Sequence, residues 1–282
     1  MKWNIFNVQP PHDIICTNIN FISSHLIYKN EINLLSFHHH HHHQFHSVSF
    51  NHSIMAKIQL ASLLLLILGT FSLALESSKH HFDYILLATQ WPETFCEHNK
   101  CVHHKDRWLI HGAWPENNDG SYPQYCDRNS KFNHNAIKSI ESEMVANWKS
   151  LKSGSSNDHF WSHEYTKHGT CAIECPLMQN EFSYFKSTLD SFKRLHIEQW
   201  LAAGGVVPST TQIYPLQAFH DAIEKGFGYK VQIQCTRSNH HDYPIIAQIN
   251  FCLSKQDLSP FNCHSKDVRC TSSNIGYLPT QK

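Results

Sequence analysis

Residues 163–171 read His-Glu-Tyr-Thr-Lys-His-Gly-Thr-Cys, and this short stretch gathers four side chains that can move protons or carry charge. On an α-helix, which turns by about 100° per residue, His163, Glu164, Lys167 and His168 fall within an arc of about 140°. Such a face suits a transition state with two negative charges, because an ammonium group neutralises charge and an imidazole transfers protons near neutral pH. The stretch therefore predicts a helix, or the start of one, with catalytic character.

A metal site and a plain surface helix are the two alternatives for this stretch. A zinc protease places its two histidines four residues apart, in His-Glu-x-x-His, so that both face the metal. Here His168 follows His163 by five residues, which turns it away from that geometry and disfavours a metal site. The stretch alone does not exclude a solvated helix face, on which His, Glu and Lys commonly mix.

A further histidine lies in the apolar stretch 109–115, Leu-Ile-His-Gly-Ala-Trp-Pro. A histidine inside an apolar strand is more often a core residue than a catalyst. The neighbours of His111 change this expectation, because Gly112 permits close backbone approach and Trp114 offers a flat surface on which a base can stack. A polar loop that contains Tyr122 follows at once. The context favours a catalytic role for His111.

The hydrophobic pattern predicts an α+β fold in one domain of roughly 200 residues, without an internal repeat or a long linker. Because strands and helices do not alternate regularly, we expect an antiparallel sheet packed with several helices rather than a β-α-β winding. Strands are predicted over Phe82–Ala88, Arg107–Trp114, Tyr229–Gln234 and Tyr243–Leu253. Helices are predicted over Ala136–Leu151, Glu181–Leu201 and Gln217–Lys225.

The N-terminal part of the chain contains the pattern of a secretory signal peptide, which begins only at Met55. Lys57 precedes an apolar run and small residues follow, so residues 55–74 are expected to be removed and residues 75–282 to form the mature domain. The alternative is a membrane anchor, which the polar residues in the run disfavour. Residues 1–54 hold ten of the 25 histidines; we expect them to be a non-structural leader from gene-model overreach, with a metal-binding tract or a tag as the alternative.

Charge and cysteine content restrict the function further. From residue 75 onward, 20 Lys and Arg stand against 21 Asp and Glu, so there is no polybasic surface that would grip nucleic acid without regard to sequence. Contacts to an RNA substrate should therefore be few and close to the reacting phosphate. Nine of the ten cysteines follow the signal peptide, which predicts a disulfide framework formed in an oxidising compartment, with one thiol left over.

The stretches 110–115 and 163–171 together closely resemble the two active-site motifs of the T2 ribonuclease family. The residues from Phe82-Asp83-Tyr84 to Gln90-Trp91-Pro92 resemble that family's first strand, and the tail with the last four cysteines is similar to its C-terminal strands. The resemblance covers about residues 80–275 of this chain. It implies a secreted, metal-independent endoribonuclease that cleaves single-stranded RNA through a 2′,3′-cyclic phosphate to a 3′-phosphate.

The resemblance also implies a role for each site residue. His168 would be the base that takes the 2′-proton, and His111 would be the acid that protonates the leaving 5′-oxygen. His163 would position the phosphate, while Glu164 and Lys167 would stabilise the transition state. Because one histidine must start neutral and the other protonated, we expect a bell-shaped pH dependence on the acidic side. For the bases, Trp114 and Tyr122 match stacking positions and Gln90 lines a second site.

The disulfide pairing follows from the resemblance alone, since eight cysteines allow 105 pairings. The implied bridges are Cys96–Cys101, Cys126–Cys171, Cys235–Cys270 and Cys252–Cys263. The second bridge would tie the loop after His111 to the end of the helical motif. Cys175 is left without a partner, either as a buried thiol or for a bridge between chains.

Two positions depart from the family pattern, with Ala113 in place of the usual Leu and Tyr165 in place of a frequent Trp. Neither change removes a catalytic group. The loop 117–123, Asn-Asn-Asp-Gly-Ser-Tyr-Pro, resembles plant housekeeping members, so we expect a plant protein with a housekeeping or nutritional role, and a self-incompatibility role is the alternative.

Further expectations concern partners and location. We expect no cofactor and no metal, RNA only as a transient substrate, no membrane association and a monomer outside the cell or in the vacuolar or endomembrane lumen. The main alternative function is a catalytically silent storage or recognition protein on the same fold. A histidine-rich metal binder is a second alternative.

Overall fold

A computed structural model of the chain describes residues 57–68, 81–102, 106–264 and 266–280. The chain divides after Met55, and every described residue belongs to the unit Ala56–Lys282. The expected leader (1–54) lies outside the described residues, as does the end of the expected signal peptide, whereas residues 57–68 form a helix. Among the helices in the described ranges, none has the length and apolar character that crossing a bilayer requires.

One mixed sheet organises the described part of the unit. Its order is β2-β1-β5-β7-β3, and β4 and β6 also pair with the long strand β5. Neighbouring strands are antiparallel, except that β5 and β7 are parallel where Ile245 meets Gly276. The strands are β1 (Tyr84–Gln90), β2 (Leu109–Glu116), β3 (Ile213–Pro215), β4 (Gln232–Arg237), β5 (Pro244–Ser254), β6 (Pro260–Phe261) and β7 (Asn274–Gly276).

Helices accompany the sheet, so the fold is α+β as expected. The α-helices are α1 (Pro92–His98), α2 (His134–Ile137), α3 (Glu141–Asn147), α4 (Asn157–Lys167), α5 (Glu181–Lys193), α6 (Ile197–Ala203) and α7 (Leu216–Phe227). Two 3₁₀ turns, Lys138–Ile140 and Gly169–Glu174, follow α2 and α4.

Two of the predicted helices are interrupted in the structure. The segment Ala136–Leu151 covers the end of α2, a 3₁₀ turn and α3 instead of one helix. The segment Glu181–Leu201 breaks after α5, and α6 then packs against α7 at a point where Gly226 leaves room for the Trp200 ring. Hydrophobic spacing does not register such breaks, because each piece keeps its own apolar side towards the core.

Helix α1 and the short strands β3, β6 and β7 were not predicted. Pro92 stands at the first helical position of α1, where a fixed backbone and a missing N–H favour a helix start. Strands of two or three residues are too short to show an alternating pattern.

Four fully buried tryptophans anchor the main core, and each indole N–H finds a hydrogen-bond acceptor. Trp91 donates to the carbonyl of Leu278 and Trp108 to the hydroxyl of Tyr277. Trp161 donates to the carbonyl of Trp148, and Trp148 donates at 2.8 Å to the carbonyl of His111. The core therefore fixes the backbone of His111 directly.

Four disulfides join the pairs that the resemblance implied: Cys96–Cys101, Cys126–Cys171, Cys235–Cys270 and Cys252–Cys263. The bridge Cys126–Cys171 connects the loop after β2 to the 3₁₀ turn after α4, so it links the two segments that carry the histidines. Cys175 is a buried free thiol.

Candidate active site

His111 occupies an irregular position in the edge strand β2. Gly112 pairs with Ala88 and Ile110 with Thr89, so His111 is the extra residue of a β-bulge. A bulge redirects a side chain from the regular alternation of a strand. The half-buried ring lies with Nδ1 2.9 Å from the side-chain amide nitrogen of Gln248 on β5. With its carbonyl bound by Trp148, His111 is held at two points.

The second motif ends a helix, which corrects the expectation that it opens one or forms one throughout. Helix α4 begins after Ser156, whose side chain accepts the N–H of His159, and it ends at Lys167. His168 is the C-cap residue, and its N–H donates to the carbonyl of Glu164 at 3.0 Å. The chain then tightens into a 3₁₀ turn at Gly169, where a Cβ would overlap the Tyr165 ring.

The termination of α4 divides the polar side chains of the motif between two environments. Glu164 and His168 are buried, with 2% and 6% exposure, whereas His163 is exposed and Lys167 is half-buried. The expected single polar face is therefore split into a buried pair and a solvent-facing pair. The buried pair contacts β2.

Trp114 joins the two motifs. Its indole N–H donates to Glu164 Oε2 at 2.9 Å, and its ring stacks on the His168 ring with centroids 5.3 Å apart. The His111 ring approaches the same indole edge-on, with centroids 5.0 Å apart. Gly112 makes this arrangement possible, since a Cβ there would overlap both Glu164 Oε2 and Trp114 Nε1. Trp114 thus separates two imidazoles that belong to different elements.

Burial and neighbouring positive groups shape the proton affinities of the site. Burial, with Lys167 and the other histidines, lowers the pKa of His168 to about 2, and burial with His163 and Lys167 lowers the pKa of His111 to about 4. The pKa of His163 is lowered as well, mainly because part of its imidazole is removed from water, and further by the nearby Lys167. Burial raises the pKa of Glu164 to about 8, so the buried site favours the neutral form of this carboxyl group. Because burial opposes charge on each of these groups, an anion placed among them would favour protonated histidines.

A cavity of about 250 Å³ opens beside His111. Phe95, Leu151 and Phe160 give it apolar walls, and Gln90, one of the expected base-site residues, also lines it. Its polar rim consists of Ser150, Lys152, Ser155, His159 and His163. Apolar and aromatic walls, combined with polar groups that can orient a ligand, are the usual form of a small-ligand site.

Tyr122 belongs to the loop after β2, in which the N–H of Tyr125 donates to the carbonyl of Lys167. Tyr122 is 47% exposed on the loop between β2 and α2. The structure therefore brings together His111, Trp114, Glu164 and His168, places Gln90 and His163 in the adjoining cavity, and leaves Tyr122 on an exposed loop.

Several residues near the site were missed by the sequence argument, notably Gln248, Phe160, Lys152 and His159. Gln248 carried a usable signal, because it is a polar residue within the apolar strand β5 and is only 8% exposed. The others belong to segments whose approach to β2 is set by tertiary packing.

Comparisons with known proteins agree with this geometry. The model of the Ribonuclease T2 family matches residues 82–263. Ribonuclease DdI of Dictyostelium discoideum is 34% identical over 208 residues, which cover 73% of this chain and 89% of that protein. Ribonuclease T2 of Homo sapiens is 35% identical over 188 residues, which cover 65% of this chain and 71% of that protein.

Solved structures give the same result at the level of the fold. The crystal structure of RNase NT in complex with 5′-AMP matches with a TM-score of 0.65 at 31% identity, over 71% of this chain and all of that one. Human RNase T2 matches with a TM-score of 0.63 at 33% identity, with the same coverage. The chain belongs to the Ribonuclease T2 family.

Proposed function

We propose that this ribonuclease is an endonuclease that cleaves single-stranded RNA by acid–base catalysis between His168 and His111. The observation that carries the proposal is the placement of these two imidazoles on opposite motifs against one indole, next to a cavity large enough for a base. A proton acceptor and a proton donor on two sides of a reacting phosphate are what an in-line transfer requires.

In the first step, His168 takes the proton from the ribose 2′-hydroxyl while the 2′-oxygen attacks phosphorus. The bond from phosphorus to the 5′-oxygen breaks, and His111 gives its proton to that oxygen, which leaves a 2′,3′-cyclic phosphate. In the second step the roles reverse: His111 takes a proton from water, the water oxygen attacks phosphorus, and His168 protonates the departing 2′-oxygen. Both imidazoles return to their starting states, and the product is a 3′-phosphate.

Three side chains of α4 complete the proposed site. The Lys167 ammonium stabilises negative charge on the phosphoryl oxygens, and His163 positions the phosphate at the rim. Because its pKa is raised to about 8, Glu164 is neutral below that pH and can donate a hydrogen bond to a phosphoryl oxygen instead of repelling it. We therefore assign Glu164 a hydrogen-bonding role in the transition state.

The low pKa of His111 sets the expected pH dependence. The acid must be protonated before transfer, and burial together with nearby positive groups opposes this in the free protein. Activity should consequently lie on the acidic side and fall as pH rises, because the protonated fraction of His111 falls. On the acidic side of the pH–rate profile, activity falls because the base, His168, becomes protonated.

The cavity beside His111 would hold the base of the leaving nucleoside. Phe160 and Phe95 offer ring surfaces for stacking, and the Gln90 amide offers polar contacts to the base edge. Trp114 and Tyr122 would contact the other base. One face of Trp114 is already stacked on His168, so a base would use the remaining surface of the indole.

Location and processing are part of the same proposal. The four disulfides favour passage through an oxidising compartment, so we place the mature domain 75–282 outside the cell or in an endomembrane lumen. Relatives from Solanum lycopersicum carry the names intracellular ribonuclease LX and extracellular ribonuclease LE, at 32% and 31% identity. These two proteins also support a plant-type assignment, although relatives from an amoeba and from mammals match as well.

The proposal is tested by digesting single-stranded RNA with purified protein in excess chelator. Cleavage to 2′,3′-cyclic phosphates and then to 3′-phosphates is expected, without loss of rate when metal is removed. A folded protein that binds RNA without cleaving it would support the silent storage or recognition protein instead. Mass spectrometry of the mature N-terminus tests the proposed boundary at residue 75.

A further inference from the structure

Gln248 is a buried amide in the middle of the sheet. It lies on β5, opposite Gln90 of β1 on one side and Gln234 of β4 on the other. Its amide nitrogen is 2.9 Å from Nδ1 of His111, and its amide oxygen is buried without a hydrogen-bond partner among the described residues. A buried, unpaired amide oxygen is destabilising, so its retention next to a reactive imidazole calls for a physical reason.

We propose that Gln248 positions His111. Its amide orients the imidazole so that Nε2 points towards the reacting phosphate, and its oxygen accepts a hydrogen bond from Nδ1–H when the ring is protonated. The inference rests on the proposed function, in which His111 is the acid. No contact between Gln248 and the substrate is required.

The two protonation states of His111 use the amide differently. When the ring is neutral, the amide nitrogen donates to Nδ1, which places the ring proton on Nε2, the atom that must deliver it. When the ring is protonated, Nδ1 becomes a donor, and a half-turn of the amide presents the unpaired oxygen to it. The hydrogen bond is then charge-assisted and therefore stronger.

An amide also keeps the acid reactive. A carboxylate at this position would form an ion pair with the imidazolium and raise its pKa, which would oppose proton transfer to the leaving oxygen. With Gln248, the proton affinity of His111 is set by burial and by the surrounding ionisable groups. These are Lys152, His159, His163, Glu164 and Lys167 on or before α4, and its cap His168.

Two variants and one matched control test the proposal. Gln248→Met keeps the length of the side chain but removes the acceptor. We expect kcat to fall about tenfold to a hundredfold, because the hydrogen bond to the protonated His111 ring is lost. KM should change little, because Gln248 does not contact the substrate. Gln248→Glu restores an acceptor and should raise the His111 pKa by about one unit or more. The control, Gln234→Glu, places the same charge one strand further from the ring.

The readouts are the basic limb of the kcat–pH profile and the titration of the His111 ring followed by NMR in the protein without substrate. Both should move to higher pH in Gln248→Glu, to lower pH in Gln248→Met, and stay in place in Gln234→Glu. If a variant fails to fold, Gln248→Asn, which withdraws the amide by one methylene group, should reproduce the kcat loss of Gln248→Met.

An unchanged His111 titration in both Gln248 variants would overturn the inference, as would a change confined to KM. Failure of the proposed function has a different signature. In that case His111→Ala would cleave RNA at the normal rate, whatever the Gln248 variants do to the ring titration.

Discussion

The strand segment around His111 and the helix end around His168 each carry an imidazole, but the two rings are held in different ways. His111 is half-buried in a bulge, with its carbonyl bound by Trp148 and its Nδ1 beside the Gln248 amide. His168 is 6% exposed at the end of α4, and its Nδ1 is buried without a partner in the part of the chain that the structure describes. Burial, with Lys167 and the neighbouring histidines, lowers the pKa of His168 to about 2, and burial with His163 and Lys167 lowers that of His111 to about 4.

This difference fits the separate roles proposed for the two histidines. A ring with a partner at Nδ1 can carry a proton and deliver it from Nε2, as an acid must. A ring without that support stays neutral and can accept a proton as soon as an anion makes its surroundings favourable. The different supports of the two rings are therefore consistent with the proposed assignment of acid and base.

The largest expected effect concerns the two imidazoles themselves. His111→Ala and His168→Ala should each lower kcat for a dinucleotide by about a thousandfold or more, within the range of general acid–base catalysis. The double variant should lose much less than the product of the two single losses, because both groups act in one step. Initial rates with matched circular dichroism spectra provide the measurement. If the double variant lost the product of the two single losses, the two histidines would act independently and not in one step.

The bridge between the two segments should have the next largest effect. Removing Cys126–Cys171 by two Ser substitutions opens a loop with a sequence separation of 45 residues. In the chain-entropy model this lowers the free energy of unfolding by about 4 kcal/mol, against about 2 kcal/mol for the control bridge Cys96–Cys101, whose separation is 5 residues. Urea denaturation measures both losses.

Activity provides a second comparison for the same variants. Under conditions in which both remain folded, we expect only the loss of Cys126–Cys171 to reduce kcat, because that bridge ties the end of α4 to the loop after β2. Equal rates in the two folded variants would show that packing alone keeps the motifs in register.

Gly112 tests how closely the two segments must approach. In Gly112→Ala the new Cβ would overlap Glu164 Oε2 and Trp114 Nε1, so one of these side chains must shift and their hydrogen bond is lost. We expect a loss of about 1–3 kcal/mol in the free energy of unfolding together with reduced activity. The matched control is Gly120→Ala, where φ is +84° and no atom lies within 4 Å of the new Cβ, so only stability should change.

The smallest effect is a coupling between anion binding and protonation. Because burial lowers the histidine pKa values in the free protein, binding of a nucleotide phosphate should raise them and take up protons at a pH just above the lowered free-state pKa of His111. Affinity should therefore increase as pH falls towards that value. The comparison is made at two pH values, one just above that pKa and one near neutrality. Calorimetry in buffers of different ionisation enthalpy counts the protons, and His111→Ala should take up fewer. Proton release on binding would contradict the charge distribution described here.

Sequence patterns predicted the parts of the site that depend on local chemistry. The motif around His168 and the strand around His111 could be recognised because the residue types and their order are visible in the chain. Their environments could not, because the burial of Glu164 depends on the absence of a side chain at Gly112, on the other motif. Likewise, Gln248 reaches His111 across 137 residues through the pairing of three strands.

The boundaries of the elements show the same limit. The helical arc calculated for residues 163–168 assumed a continuous helix, but the structure ends α4 at Lys167 and turns His168 towards Trp114. That termination is set by the tight turn at Gly169, which lies against the Tyr165 and Tyr184 rings. A period of 3.6 residues contains no information about such a contact.

The most direct test of the division of labour uses two substrates that differ only in the leaving group. A dinucleotide needs a proton on its departing 5′-oxygen, whereas an aryl ester of a nucleoside 3′-phosphate departs without one. His111→Ala should lose about a thousandfold in kcat on the dinucleotide but no more than about tenfold on the aryl ester, while His168→Ala should lose equally on both. Equal losses on both substrates for His111→Ala, or rescue of His168→Ala by the aryl ester, would contradict the assignment of acid and base.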